Sequence, residues 1–239
     1  MNIVILTAGG IGSRMNQTIP KQFMKIYDKP LLIYTALRFQ NCNSIDGIVI
    51  VCLSGWKNKV YEMAKEYGID KLLSIVEGGS TGQESIKNGF KYIRDNYDDD
   101  DIVLIHDGNR PMVSEEIINK GINTCRIKGN AVAYIPCQEV MFLSEDMISS
   151  KEQIERSKLA RTQTPHVYKV RDIENIYKMA DENGYKDCVA ICSLCQKLGI
   201  ETYLYQGSEK NIKITTQEDI DIFKALLTVE MNKWYENNK

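Results

Sequence analysis

No stretch of this chain approaches the roughly 18 consecutive apolar residues that a membrane-spanning helix needs. An excess of either charge is missing too. The 30 basic residues against 32 acidic ones leave a formal charge of −2, which gives no support for nucleic-acid binding through a basic surface. Histidine is scarce, with only His106 and His166, so a zinc site would be short of ligands. The Gly, four residues, Gly-Lys-Ser/Thr spacing of a P-loop is absent. Internal repeats are absent as well. The N-terminus enters an apolar strand candidate at once, which predicts a cytoplasmic protein without a secretory leader. Seven cysteines then read as free thiols in a reducing compartment. Cys188, Cys192 and Cys195 have the C-x3-C-x2-C spacing of a cluster-binding motif. They lie late in the chain on a helix-like stretch, and buried structural thiols are the better reading. The four acids Asp98 to Asp101 read as a solvated loop rather than a metal site.

What is present is a glycine-rich loop after the strand Ile3-Val4-Ile5-Leu6. It runs Thr7-Ala8-Gly9-Gly10-Ile11-Gly12-Ser13-Arg14-Met15, followed by Pro20-Lys21-Gln22. Glycines let backbone N–H groups turn toward an anion with no Cβ in the way. Arg14 as a planar fork and Lys21 as a point charge would add positive charge to the same hollow. For the glycines alone, a generic strand–loop–helix turn serves as well. Together with Arg14 and Lys21, the loop reads as a triphosphate grip. The dinucleotide pattern G-x-G-x-x-G begins at Gly10-Ile11-Gly12, but Met15 stands where its third glycine belongs. No acidic residue follows a second strand to hold a ribose.

Apolar strand candidates at 2–7, 46–53, 73–77, 102–106 and 131–135 alternate with helix-like stretches at 31–41, 57–67, 84–96 and 114–127. Pro30 suits the first turn of the first helix and Ser114 the cap of the fourth. This alternation predicts an α/β fold, a single domain over 1–239, with a mostly parallel twisted sheet flanked by helices. The pattern breaks from 137 to 163, which predicts an extended excursion, a hairpin arm that packs on a second subunit. Helices at 170–182 and 187–198, strands at 201–205 and 211–214, and a terminal helix from Gln217 to Tyr235 follow.

Three further segments carry chemistry. His106-Asp107-Gly108-Asn109-Arg110-Pro111 ends a strand, where Asp107 can meet a ribose hydroxyl, a metal ion or a substrate hydroxyl, and Arg110 a second phosphate. A turn capped by Asp107, with Arg110 solvated, explains the same residues. His106 reads as structural. Gly78-Gly79-Ser80-Thr81-Gly82-Gln83-Glu84-Ser85 is a second glycine-rich turn. Its backbone at Gly79 and Ser80 and the Ser85 hydroxyl can read a base edge, or Ser80 or Thr81 can cap a helix. Asn211-Ile212-Lys213-Ile214-Thr215-Thr216-Gln217-Glu218-Asp219 sets Lys213 between two isoleucines, either snorkelling or functional. Thr216 is placed to cap the last helix.

In order, LTAGGIGSRM, PKQF, EGGSTGQESIKNG, HDGNRP, RTQTP and NIKITTQED resemble the cytidylyltransferases that make CDP-activated polyols, over residues 2 to about 225. The resemblance implies a Rossmann-like nucleotidyltransferase fold with a protruding dimerisation arm. It implies attack of a polyol phosphate on the α-phosphate of CTP, with positioning and charge neutralisation supplying the catalysis. By resemblance, Arg14 and Lys21 grip the triphosphate, the Gly9 to Gly12 backbone supplies donors through Gly10 and Gly12, and Lys213 contacts the α-phosphate or the incoming phosphate. Ala8, Gly79, Ser80 and Ser85 would hold cytosine. Asp107 would bind ribose or a polyol hydroxyl. Mg²⁺ would be held mainly by the CTP phosphates, with Asp107 as an optional ligand. Arg110, with Arg156 from the arm of a second subunit, would face the polyol phosphate in a homodimer.

The resemblance covers two branches, acting on 2-C-methyl-D-erythritol 4-phosphate and on D-ribitol 5-phosphate. Three positions depart from the pattern: Gly82 replaces an Arg, Val140 replaces a Thr of the erythritol type, and Lys186 replaces the Thr of a Thr-Asp pair that ends in Asp187. The Leu6–Arg14 and Asn211–Thr216 segments are nearer the ribitol branch. Two other classes remain at this point, a non-catalytic CTP-binding sensor and a dehydrogenase.

Overall fold

The structure, a computed structural model, describes residues 1–10, 19–185, 188 and 190–237. The first strand, β1 (Asn2–Ala8), is followed by a two-stranded ribbon, β2 (Lys25–Ile26) and β3 (Lys29–Pro30), and by α1 (Leu31–Gln40). Strands and helices then alternate: β4 (Gly47–Cys52), α2 (Lys57–Glu66), β5 (Leu72–Glu77), α3 (Gly82–Asn96), β6 (Ile102–Asp107), α4 (Glu115–Lys128) and β7 (Asn130–Pro136). A hairpin of β8 (Met141–Leu143) and β9 (Glu152–Ile154) precedes β10 (Ala160–Lys169), α5 (Val170–Glu182), α6 (Ile191–Lys197), β11 (Leu204–Gln206) and α7 (Gln217–Asn237).

Seven strands form the main sheet in the order β11-β7-β10-β6-β1-β4-β5. All pairings are parallel except those of β10, which runs antiparallel to both β6 and β7. The central strands are buried on both faces, as their unbroken Ile/Val/Leu runs require. Along β1, Val4 and Leu6 pack into one core with Leu32, Ile33 and Phe39 from α1. Ile3 and Ile5 face the other core, with Phe90 from α3 and Ile173 from α5. From β1 the chain proceeds outward through β4 and β5, then returns to place β6 on the other side of β1. Strand order therefore reverses between β1 and β6, where parallel sheets open a crevice at their C-terminal strand ends. Thr7 is paired with Val51 on one side and Asp107 on the other.

The helix ends obey their sequence signals. Ser114 Oγ accepts the Ile117 N–H at 3.3 Å, and Gly129 with φ +95° terminates α4. Thr81 Oγ1 accepts the Glu84 N–H at 3.1 Å at the start of α3. Asp219 Oδ2 accepts the N–H groups of Thr215 at 2.6 Å and Thr216 at 2.8 Å, while Thr216 Oγ1 caps Asp219 at 3.4 Å, a reciprocal cap of α7.

Several expectations need correcting. Residues 160–163 are not part of an arm but open a ten-residue strand in the middle of the sheet. The sequence concealed it because Thr162, Gln163 and Thr164 are polar and Pro165 lacks a ladder donor. The register shift between Gln163 and His166 accommodates that proline. Residues 211–214 form no strand, although Ile212 and Ile214 are apolar. Ile214 is instead an anchor beneath α7, packed with Ile220 and Phe223. Pro30 stands at the N-cap of α1 rather than in its first turn. The strand expected at 201–205 is β11, starting at Leu204. The helix expected over 187–198 forms as α6, while Lys186, Asp187 and Val189 lie outside the described residues.

The hairpin of β8 and β9 carries exposed apolar side chains: Phe142 is 62% exposed and Ile148 90% exposed. Asp146 orders its turn by accepting the N–H groups of Ile148 and Ser149, each at 2.9 Å.

Candidate active site

A cavity of about 540 Å³ opens at the C-terminal ends of the central strands, within the usual size of a small-ligand site. Four segments meet around it. From the first loop come Ala8, Gly9, Gly10 and Lys21, and from the second glycine-rich turn come Gly79, Ser80, Gly82 and Ser85. Asp107 and Asn109 follow β6, and Lys213 and Thr215 precede α7. The expected site residues Gly12 and Arg14 lie outside the described residues.

Lys21 begins a 3-10 turn, Lys21–Phe23, that is fastened on both flanks. Gln22 is buried and its Nε2 donates to the carbonyls of Ala8 at 2.7 Å and Gly10 at 3.0 Å. Phe23 stacks on Trp56, with ring centroids 4.1 Å apart and planes 4° from parallel.

The second turn is held from within α3. Glu84 Oε2 accepts both the N–H of Ser80 at 2.7 Å and its hydroxyl at 2.6 Å. These bonds draw the Glu84 carboxyl below its usual range. Ser85 Oγ donates to the Thr81 carbonyl at 2.9 Å and accepts the Gly79 N–H at 3.1 Å. The Ser85 hydroxyl therefore has its proton committed and only lone-pair capacity left. A Cβ on Gly79 would fall 2.2 Å from that of Glu84, and one on Gly78 2.9 Å from Ser85 Oγ. Both glycines are thus required by close approach. At Gly82 a Cβ would meet nothing within 4 Å, so the turn is open where the resemblance leads one to expect Arg.

Asp107 is the electrostatic centre. Its Oδ1 pairs with Lys213 Nζ and its Oδ2 with Arg110 Nε, each at 2.9 Å. Burial pushes the carboxyl pKa up, but the Lys213 ammonium and Arg110 guanidinium outweigh it and hold the group well below the carboxylate range. Arg110 is turned inward rather than solvated. Its side chain is 12% exposed, and its Nη1 donates to the Asn211 carbonyl at 2.7 Å. It is not among the residues that line the cavity.

The Lys213 segment has no ladder and is pinned by amides instead. Asn109 exchanges two bonds with Ile214, its Nδ2 donating to the Ile214 carbonyl and its own carbonyl accepting the Ile214 N–H at 2.9 Å. Buried Asn211 donates to the Thr164 carbonyl at 2.9 Å. Gln163 donates to the Ser208 carbonyl at 2.9 Å.

His106 lies fully buried behind Asp107, and burial pushes its pKa down to about 3. Its Nε2 faces the Arg110 carbonyl at 3.2 Å, and its Nδ1 faces Thr164 Oγ1 at 3.0 Å. A carbonyl only accepts, so Nε2 carries the proton and Nδ1 accepts from the Thr164 hydroxyl. Thr164 Oγ1 in turn accepts the Asp107 N–H at 3.1 Å. His166 is buried too, and burial pushes it down to about 4. Among the described residues no histidine or cysteine lines the cavity.

Arg156 stands on a 3-10 turn at the base of the arm and donates to the Gln138 carbonyl at 2.8 Å. It does not line this subunit's cavity. Gln22, Glu84, Asn109, Thr164 and Asn211 were not singled out as site-shaping from the sequence. Each sits inside or beside a quoted motif, but an uncharged side chain that bonds backbone leaves no pattern of its own.

Two lysines lining one cavity, of which Lys213 is paired with Asp107, suit a polyanion. Among the described residues no group of three or more His, Cys, Asp or Glu could cage a metal ion, and both Asp107 oxygens are already engaged. The donor set therefore fits a divalent cation brought in on phosphate oxygens, with Asp107 the one carboxylate at hand. Such a cation would neutralise phosphate charge.

A sequence model of a protein family, described as IspD, 2-C-methyl-D-erythritol 4-phosphate cytidylyltransferase, matches residues 2–229. Ribitol-5-phosphate cytidylyltransferase of Vibrio parahaemolyticus is 38% identical over 97% of this chain and 98% of its own. The protein of that name from Lacticaseibacillus paracasei is 39% identical over 95% of this chain and 98% of its own. Among solved structures, 4-diphosphocytidyl-2C-methyl-D-erythritol synthase from Anaerococcus prevotii superposes with a TM-score of 0.79 at 24% identity, covering 95% of this chain and 98% of that one. That likeness bears on the fold. Among the described residues no helix is long and apolar enough to cross a membrane.

Proposed function

We propose that this chain, which belongs to the 2-C-methyl-D-erythritol 4-phosphate cytidylyltransferase family, transfers CMP from CTP to D-ribitol 5-phosphate, forming CDP-ribitol and releasing pyrophosphate. The observation that carries the reaction type is the single cavity that gathers Lys21, Lys213 and two glycine-rich turns around Asp107. The acceptor rests on the two ribitol-5-phosphate relatives, at 38% and 39% identity over nearly the whole chain. Val140 in place of the erythritol-type Thr is consistent with that choice.

In this reading an acceptor phosphate oxygen attacks the α-phosphorus in line. The new P–O bond forms as the α–β bridging bond breaks, and pyrophosphate leaves with the electron pair. The attacking oxygen is already anionic, so no general base is needed, in keeping with a cavity that no histidine lines. Lys21, with Arg14, Gly9, Gly10 and Gly12, holds the β- and γ-phosphates. Lys213 neutralises charge at the α-phosphate and incoming phosphate, held near it by Asp107. Ala8, Gly79, Ser80 and Ser85 surround the base, where the remaining lone pair of Ser85 Oγ accepts from the cytosine amine and meets the uracil carbonyl unfavourably. Mg²⁺ would be held mainly by the CTP phosphates, with Asp107 as an optional ligand, and would neutralise phosphate charge. Arg110 serves the acceptor through Asp107 and Lys213, and Arg156 reaches it from a partner subunit in a homodimer sealed by the apolar arm.

Pyrophosphate release tests the reading, with CTP set against ribitol 5-phosphate, 2-C-methyl-D-erythritol 4-phosphate and glycerol phosphates, and with ATP, GTP and UTP as controls. The expected result is turnover with CTP and ribitol 5-phosphate. Turnover with the erythritol phosphate alone would establish the second reading, which the family model favours. CTP binding without release for any acceptor would make the chain a sensor.

A further inference from the structure

Carbonyl oxygens carry partial negative charge, so a backbone hollow that receives phosphate must turn them aside and leave N–H groups facing in. In the first loop one side chain performs that task. Gln22 has two amide hydrogens and spends both on the loop, one on the carbonyl of Ala8 and the other on that of Gly10. Gln22 is 3% exposed, and a buried carbonyl deprived of its donor is costly. Because a trans peptide sets N–H opposite to C=O, fixing the Ala8 carbonyl on Gln22 directs the Gly9 N–H away from it. The same residue follows Lys21 in the 3-10 turn, which Phe23 seats on Trp56. Gln22 therefore joins the two parts of the triphosphate half of the cavity, the glycine backbone and the lysine.

We infer that Gln22, in the cavity wall with its Nε2 committed to the loop, is a positioning residue for the triphosphate, setting loop and Lys21 in register. This rests on the CTP reading above, but not on the identity of the acceptor. It predicts a split between the two halves of the nucleotide, which general loosening of the fold would not produce. Isothermal titration of the full chain with inorganic tripolyphosphate and, separately, with cytidine reads that split. In Gln22→Met, which keeps length and loses both donors, tripolyphosphate affinity falls about tenfold or more, while cytidine affinity stays within about twofold. KM for CTP rises with KM for the acceptor unchanged. Gln22→Asn, which keeps the amide on a stem too short for both carbonyls, shows the same direction and covers the case in which the methionine variant fails to fold. Wild-type tripolyphosphate affinity in both variants would overturn the inference, as would equal losses for cytidine. Absence of tripolyphosphate binding in the unaltered protein would overturn it together with the CTP reading.

Discussion

Mild acid should destabilise this protein through its two histidines, and the size of the effect follows from their burial. His106 and His166 are held neutral, with pKa values pushed down to about 3 and about 4. In the unfolded chain each returns to the ordinary value near 6.5. Between those limits the unfolded state binds two protons that the native state refuses, so stability falls as pH falls. Integrated from pH 6 to pH 5, each histidine contributes about 1 kcal/mol, and the pair about 2 kcal/mol. That is a large part of a typical margin of about 5–15 kcal/mol. Asp172, whose pKa burial raises, takes up a proton in the native state and works weakly the other way. Urea titrations followed by circular dichroism at pH 7, 6, 5.5 and 5 measure the slope directly. His166→Gln should reduce the pH 6-to-5 loss to about half. A wild-type loss under about 0.5 kcal/mol in this window would refute the claim that both rings are buried and neutral.

Three further outcomes follow from the site. Lys21→Ala and Lys213→Ala should each lower turnover by about 10²–10³, read as pyrophosphate release at saturating CTP; a normal rate in either would remove that lysine from the reaction. Asp107→Asn strips a buried anion from between two cations and should cost about 3–5 kcal/mol of stability, and an unchanged melting temperature would show that the pairings do not persist in solution. Phe142→Asp should shift sedimentation toward the monomer and lower activity with it; a dimer of normal activity would show that the arm is not the contact.

The parallel part of the sheet was legible because β1, β4, β5 and β6 are each a compact apolar run bounded by turn residues and followed by a helical period. The chemistry-bearing loops were legible for a related reason. Glycines without side-chain obstruction, charged residues at strand ends and small polar caps each announce a physical requirement. What escaped was held together by amides. β10 contains Thr162-Gln163-Thr164-Pro165, which offers no alternation, yet Gln163 and Thr164 are where the sheet reaches across to the Lys213 segment and to Asp107. Lys213 itself was read on a strand because two isoleucines flank it. One of them, Ile214, is buried under α7, and the segment takes its shape from Asn109. The inward turn of Arg110 was equally hidden, since a guanidinium three residues from a carboxylate can face either solvent or its neighbour.

The stacked pair beneath the Lys21 turn has a practical consequence. Trp56 is one of only two tryptophans in the chain. Its indole lies flat against Phe23 and has the Lys59 ammonium 4.4 Å from its centroid. Fluorescence of an indole with such neighbours depends on the cation and on the stacked ring. Any ligand that pulls residues 21–23 inward disturbs the stack. With Trp234 replaced by phenylalanine, the emission of Trp56 becomes a native optical gauge of nucleotide arrival, fast enough for stopped-flow and free of any attached dye.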